Sequence, residues 1–237
     1  MVAHPEWIAV AALTSKLSRF FAVAVLLVLL IWAALWALAD HLDAKAILIL
    51  ARATDGRATK REVAEAKLRL DTAISLNPFD ADFRLHQVYF SRALCRIETV
   101  EKSCCDAKQL EAYRMIIRLR PTWGDAWLDY ATCLQARGAS QMTLDALDKA
   151  LRFSPVAYGV TRRSVSLGFS LLDGMNPEQR ERYRANLRLL LKENPRFVLK
   201  KAFESKRSSF VEPLLFNDKQ KKLFKIMEAE VLKAGGS

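Results

Sequence analysis

The chain has 237 residues, of which 51% are hydrophobic and 27% are charged, and its formal net charge is +11. Eight glycines and seven prolines are too few for a disordered chain or for a β protein with many turns, so we expect a globular, mostly helical protein. The three histidines lie far apart and none has a helical spacing to a cysteine or to another histidine, so no metal site is expected.

The strongest signal is the uncharged run 20–39, FFAVAVLLVLLIWAALWALA, near the N-terminus. As a helix it is about 30 Å long, which is enough to cross a bilayer. Ala37-Leu38-Ala39 has the small-x-small form that signal peptidase accepts, but the run is longer than the roughly 7–15 residues of a usual signal-peptide core. Trp32 and Trp36 also fit an interfacial aromatic belt. We therefore favour a retained transmembrane anchor over a cleaved signal peptide or a buried soluble helix.

Charges on either side of the run predict its orientation. Lys16 and Arg19 precede it, whereas Asp40 and Asp43 follow it, which favours a cytoplasmic N-terminal tail over residues 1–19. Basic residues a little further along the chain count against this orientation. The start of the tail is either a short interfacial helix or simply a tail. We expect a single-pass membrane protein whose body lies on the opposite side of the membrane from this tail.

Beyond the span, prolines recur at the ends of amphipathic helical patterns. They are Pro78, Pro121, Pro155 and Pro195. The middle interval is the shortest and the other two are somewhat longer, and recurrence of this kind indicates an internal repeat of helix pairs. Units of this kind bury their apolar faces only by stacking on one another.

Residues 124–155 resemble a tetratricopeptide repeat, whose period of about 34 residues equals the interval from Pro121 to Pro155. The matching residues are Ala126, Trp127, Gly138, Ala150, Leu151, Phe153 and Pro155. Tyr130, Ala131 and Thr143 depart from the usual pattern. The resemblance implies an all-α protein in which a short right-handed α-solenoid of degenerate tetratricopeptide-like helix pairs follows the transmembrane helix. In such a repeat Trp127 wedges between the two helices and Gly138 allows the tight return.

The helical pattern continues to the C-terminus although the repeat fades. Asn176-Pro177-Glu178 predicts a helix start, a break is expected around Glu212-Pro213, and a last amphipathic helix is expected over 218–233. We assign residues 40–212 to the repeat domain and 213–237 to a basic capping helix. Residues from 178 onward carry a net charge of +7, which permits contact with an anionic surface but is also typical of solvated helix faces.

Three of the four cysteines lie in an insertion between the first two repeats. The cysteines are Cys95, Cys104, Cys105 and Cys133. In an oxidising compartment Cys95 can bond to Cys104 or to Cys105, and the remaining cysteine of the insertion can reach Cys133. The alternative is four reduced thiols, two of them buried on helices.

Catalytic patterns are missing from the sequence. It contains no Ser/His/Asp set, no phosphate-binding glycine loop and no HExxH motif, so we expect neither an enzyme nor a cofactor. The basic residues form no recognised nucleic-acid motif, and nucleic-acid binding is not expected.

A membrane-tethered solenoid offers a concave face to a protein partner. The residues expected to line this groove are on the first helices of two units: Phe83, Gln87, Phe90, Trp123, Asp125, Asp129 and Thr132. The lipid bilayer is the second expected partner, through residues 20–39.

The N-terminal span followed by NPFDADFRLHQVYFSRAL and RLRPTWGDAWLDYA resembles bacterial VpsP-type polysaccharide biosynthesis accessory proteins. The resemblance covers roughly residues 20–155 and brings no catalytic residues. It implies a non-catalytic scaffold for exopolysaccharide biosynthesis or export, whose partners are components of that machinery. With the orientation expected from the flanking charges, it also implies a single-pass protein of the bacterial inner membrane with its repeat domain in the periplasm. The alternative is an assembly factor for another envelope system, such as cytochrome maturation, secretion or cell division.

Overall fold

The computed structural model describes residues 5–98 and 104–235, with side chains described over 18–97 and 104–231. Within these ranges the chain is all helical and has no strand. The helices are α1 (Pro5–Thr54), α2 (Lys60–Leu76), α3 (Ala81–Glu98), α4 (Ala107–Leu119), α5 (Gly124–Ala136), α6 (Ser140–Phe153), α7 (Tyr158–Leu171), α8 (Pro177–Glu193), α9 (Pro195–Glu204), α10 (Ser208–Val211) and α11 (Asp218–Gly235). Short 3₁₀ turns follow α7 and α10. The all-α prediction is confirmed.

Helix α1 is long and apolar enough to cross a membrane, with a mean hydropathy of 2.8 in its most apolar window. Every side chain over 25–38 is exposed, and Trp32 stacks on Trp36 with their ring centroids 5.0 Å apart. The predicted span ends at Ala39, but the helix itself continues without interruption to Thr54. The second part of α1 therefore belongs to a packed helical unit.

The chain forms two compact units, Met1–Glu98 and Thr99–Ser237, called here the N-terminal and C-terminal units. In the N-terminal unit, α2 and α3 pack on the second part of α1. The buried core residues are Ala39, Ala46, Val63, Ala66, Leu70, Ala73, Phe83 and Phe90. Thr59 and Glu62 form a reciprocal capping box that starts α2.

Polar contacts between helices fix the register of the N-terminal unit. Arg52 on α1 pairs with Glu62 on α2, with 2.9 Å between Nη2 and Oε1. Asp43 on α1 is buried, and its Oδ1 lies 2.8 Å from Nδ1 of His86 on α3. The amide of Gln87 on α3 donates to Asp71 on α2.

In the C-terminal unit each helix packs on its neighbours along the chain. Helix α4 contacts α5, and α5 contacts both α6 and α7. The same succession continues, since α6 contacts α7 and α8, and α7 contacts α8 and α9. Helix α11 packs on α9, where the Phe203 and Phe224 rings lie 5.2 Å apart.

The turns of the C-terminal unit agree with the residues expected to form them. Pro121 and Pro155 lie in the turns after α4 and α6, and Gly138 ends α5 with a φ of +74°. Only glycine adopts this conformation at no steric cost. Gly124 is needed for a different reason, because a Cβ there would lie 2.9 Å from the Ala150 carbonyl oxygen. The start of α5 thus approaches the end of α6 closely.

Candidate functional site

Two of the residues expected in the groove lie in the core of the N-terminal unit. Phe83 and Phe90 on α3 are buried among α1 and α2, so their assignment to an exposed groove is wrong. Their spacing marks the apolar face of α3, and the second half of α1 and helix α2 cover that face. Gln87, between them, donates a 2.7 Å hydrogen bond to Asp71.

Two of the expected groove residues on α5 are already used within the C-terminal unit. Asp129 is only 2% exposed, and both Asp129 and Asp125 pair with Arg163 on α7. These carboxylates connect two helices within the unit. Trp123 lies in the turn before α5 with the Arg120 guanidinium 4.8 Å from its ring centroid, and the exposed Thr132 donates to the Leu128 carbonyl.

The cysteines of the described residues are all disulfide-bonded. Cys105 is bonded to Cys133 on α5, with a Cα–Cα distance of 5.5 Å. Cys95 and Cys104 are each disulfide-bonded as well. The Cys105–Cys133 bond is one of the pairings that the sequence leaves open, and it attaches the segment before α4 to the C-terminal part of α5.

A groove of about 350 Å³ lies between α4, α5 and α6 in the C-terminal unit. We call it the α4–α6 groove. It is lined by Arg114, Ile117, Arg118, Trp127, Tyr130, Met142, Asp145, Ala146 and Lys149. None of the residues expected in a partner-binding groove is among them.

Aromatic side chains form one wall of the α4–α6 groove. The Trp127 indole donates a 2.8 Å hydrogen bond to the Pro121 carbonyl, which fixes the ring at the start of α5. Trp127 meets Tyr130 edge to face, with centroids 6.2 Å apart, and Tyr130 contacts Tyr113 at 6.5 Å. Trp127 does lie against α6, as a wedge residue should, but it remains partly exposed at the groove. The Trp127 ring is therefore held in place and partly accessible, and the buried Tyr130 and Tyr113 support it from behind.

Cations surround this wall. Lys149 on α6 places its Nζ 4.4 Å from the Trp127 ring centroid. Arg114 on α4 donates to the Tyr130 hydroxyl at 3.4 Å and to Glu111 at 3.2 Å. These two contacts, the Tyr130 hydrogen bond first, raise the pKa of Arg114 above its ordinary value. The guanidinium is thus always charged.

The charge of the α4–α6 groove is positive. Its lining contains three cationic side chains, from Arg114, Arg118 and Lys149, and one carboxylate, from Asp145. An aromatic wall with cations beside it suits a ligand that carries carboxylates next to apolar groups. The sequence contains a signal for part of this site, because Arg114 and Arg118 are four residues apart on one helix face. Lys149 comes from a different helix, which only the fold brings close.

Among the described residues there is no cluster of three His, Cys, Asp or Glu side chains that could hold a metal ion. The α4–α6 groove offers aromatic and cationic groups that can recognise charge and shape. No protein-family model matches the chain, and no curated protein matches it.

Proposed function

We propose that this protein is a membrane-anchored, non-catalytic adaptor whose C-terminal unit binds an acidic segment of an envelope protein in the α4–α6 groove. The observation that carries the proposal is the arrangement of Arg114, Arg118 and Lys149 around the wall formed by Trp127 and Tyr130. Charge complementarity of this kind steers association and sets specificity more than it sets affinity.

The proposed architecture of the C-terminal unit is a right-handed α-solenoid of degenerate tetratricopeptide-like helix pairs. Support comes from the succession of contacts, in which α5, α6 and α7 each pack on the next helix and the one after it. The pair α5 and α6 carries the best match to the repeat pattern, with Gly138 at its turn. Helix α11 acts as the cap, because it covers α9 and its Gln220 amide donates to the Leu191 carbonyl at 2.7 Å.

The proposed location is the bacterial inner membrane, with the apolar part of α1 as the anchor and with α2, α3 and the C-terminal unit in the periplasm. The charges before and after the apolar run support this orientation. The disulfide between Cys105 and Cys133 also supports it, since such bonds persist in oxidising compartments.

The proposed process is exopolysaccharide biosynthesis or export, in which the adaptor holds components of the membrane machinery together. The resemblance of residues 20–155 to VpsP-type accessory proteins supports this choice. Assembly of another envelope system is the alternative, and it needs the same anchor and the same groove. The identity of the bound partner distinguishes the two.

Recovery of partners by the full-length chain tests the proposal. A tag after Ser237 allows the protein to be purified from cross-linked membranes of its host. The informative variant reverses two groove charges, Arg118→Glu with Lys149→Glu. The matched control makes the same change at two exposed lysines of α11, Lys221→Glu with Lys222→Glu.

We expect the groove variant to recover at least about tenfold less partner, which corresponds to about 1.4 kcal/mol of binding free energy, while the control recovers as much as the original chain. Equal recovery by both variants would contradict a role for the α4–α6 groove. Recovery of glycosyltransferase, polymerase or export components, together with less secreted polymer in the groove variant, supports the polysaccharide role. Recovery of a different machinery with unchanged polymer supports the alternative.

A further inference from the structure

The loop between α2 and α3, residues 77–80, carries a large apolar side chain that does not pack in the core of the N-terminal unit. Phe79 is 80% exposed, although a phenylalanine is a large apolar group that proteins usually bury. The loop around it is well ordered by hydrogen bonds. Arg84 donates twice to the Pro78 carbonyl, at 2.7 and 2.9 Å, and Asp80 accepts from the backbone N–H groups that start α3. Phe79 is therefore held out from a preformed turn.

The register of α2 on α1 gives the height of this loop along α1. The two helices are joined by a short turn and run in opposite directions, with Arg52 paired to Glu62 near that turn. Leu76 lies as far along the chain after Glu62 as Leu38 lies before Arg52. Because both helices rise about 1.5 Å per residue, the end of α2 lies at the height of Leu38.

The register of α3 on α1 gives the same height independently. Helix α3 runs in the same direction as α1, and His86 is paired with Asp43. Ala81 lies as far along the chain before His86 as Leu38 lies before Asp43. Both ends of the loop therefore lie at the height of Leu38, and the loop itself extends beyond them to the height of about Trp36.

Leu38 is the last exposed residue of the apolar run in α1, since Ala39 is already buried under α2 and α3. The loop thus lies where the apolar part of α1 ends and the packed unit begins. A bilayer that surrounds the apolar part has its interface at this height.

We propose that the α2–α3 loop is a second membrane contact, in which the Phe79 side chain inserts into the bilayer interface at the height of Trp36. The inference rests on the proposed anchoring of α1 in a membrane. The occupant is the lipid bilayer, because Phe79 is exposed at the height along α1 where the exposed apolar side chains of that helix end. Arg84, which holds the turn, keeps its charge at the level of the headgroups.

The same helix registers place two other exposed leucines of the N-terminal unit away from the bilayer interface. Leu48 and Leu68 are each 68% exposed. Leu48 lies well beyond Leu38 on α1, and Leu68 lies well before Leu76 on α2, so both are about 12–15 Å above the interface. Leu68 is consequently a matched control for Phe79, as it is similarly apolar and exposed on the same unit but out of reach of lipid.

Photo-cross-linking of the full-length chain in lipid vesicles tests the inference. Benzoylphenylalanine replaces Phe79, Leu68 or Val28 in three separate variants, and covalent lipid adducts are counted by mass spectrometry after illumination. Val28 lies in the middle of the apolar run and reports on the anchor alone. All three side chains are exposed, so the replacements leave the packed core intact.

We expect adducts at position 79 to exceed those at position 68 by at least about fivefold, because only the former lies at the interface. If position 28 captures lipid while position 79 captures no more than position 68, the second contact is refuted and the anchor stands. If position 28 captures none, the anchor is refuted, and the second contact with it.

Discussion

Two glycines on helix α7 should respond in opposite ways to the same substitution. At Gly168 an added Cβ would lie 2.8 Å or less from three atoms of the Tyr183 ring. At Gly159 nothing lies within 4 Å of an added Cβ. Neither glycine has a positive φ, so an alanine fits the backbone at both positions.

The cost at Gly168 depends on whether the Tyr183 ring can move. The ring is fully buried, and its hydroxyl donates a 2.6 Å hydrogen bond to the Val165 carbonyl. Phe169 and Phe210 contact it at centroid distances of 5.7 and 6.2 Å. Displacing it combines an overpacking cost of about 1–3 kcal/mol with a weakened buried hydrogen bond worth about 1 kcal/mol. The better helix propensity of alanine offsets about 1 kcal/mol.

We therefore expect Gly168→Ala to lower the free energy of unfolding by about 1–3 kcal/mol and the Tm by about 2–12 °C. Gly159→Ala should raise the free energy of unfolding by about 0.4–1 kcal/mol, because it restricts the unfolded chain. The assay is thermal unfolding of the full-length chain in detergent, followed by the loss of helical circular dichroism.

A double-mutant cycle checks the physical cause. Tyr183→Leu removes the ring that an alanine at 168 would meet, so Gly168→Ala should cost at least about 1 kcal/mol less in that background. The reasoning is refuted if Gly168→Ala and Gly159→Ala change the Tm alike, or if the cost of Gly168→Ala is unaffected by Tyr183→Leu.

Three further outcomes are expected. Burial raises the pKa of Tyr183 well above its ordinary value, so the folded state keeps a proton that the unfolded state loses above about pH 10. Stability should then fall with rising pH by up to about 1.4 kcal/mol per pH unit, and an alkaline denaturation series should show a smaller fall for Tyr183→Phe. Replacing Cys105 and Cys133 by alanine opens a loop with a sequence separation of 28 and should cost about 3–4 kcal/mol in urea unfolding; an unchanged midpoint would contradict this. His86→Ala leaves the buried Asp43 carboxylate without its ring partner and should cost about 1–3 kcal/mol; a change below about 0.5 kcal/mol would show that water replaces the ring.

Local signals predict the helices and turns of this chain well. Each of the four prolines at a predicted helix end lies just after a helix, and the break around Glu212-Pro213 is a 3₁₀ turn before the last helix. These features are local, because proline and glycine restrict or free the backbone at their own positions. The continuation of α1 beyond Ala39 is also compatible with the sequence, which has neither glycine nor proline over 20–54.

The residues that line a binding groove are harder to predict from the sequence, because whether a helix face is exposed or buried depends on which other helices pack on it. The spacing of Phe83, Gln87 and Phe90 correctly marks one face of α3, but it does not say whether that face meets a partner or the core. Asp129 and Arg163 are far apart in the chain, so no local pattern shows that this carboxylate is already used within the unit. The same limit applies to Lys149, which reaches Trp127 only through the packing of α6 on α5.

The uninterrupted course of α1 has a mechanical consequence. A helix turns by about 100° per residue, so a stretch without glycine or proline fixes the azimuth of one end relative to the other. The faces of the apolar part therefore have a set angular relation to the side of α1 on which α2 and α3 pack. A protein that bound one face of the apolar part would therefore also set the direction in which α2 and α3 point around the axis of α1. Inserting a single alanine after Leu38 would rotate α2 and α3 about that axis by about 100° relative to the apolar part.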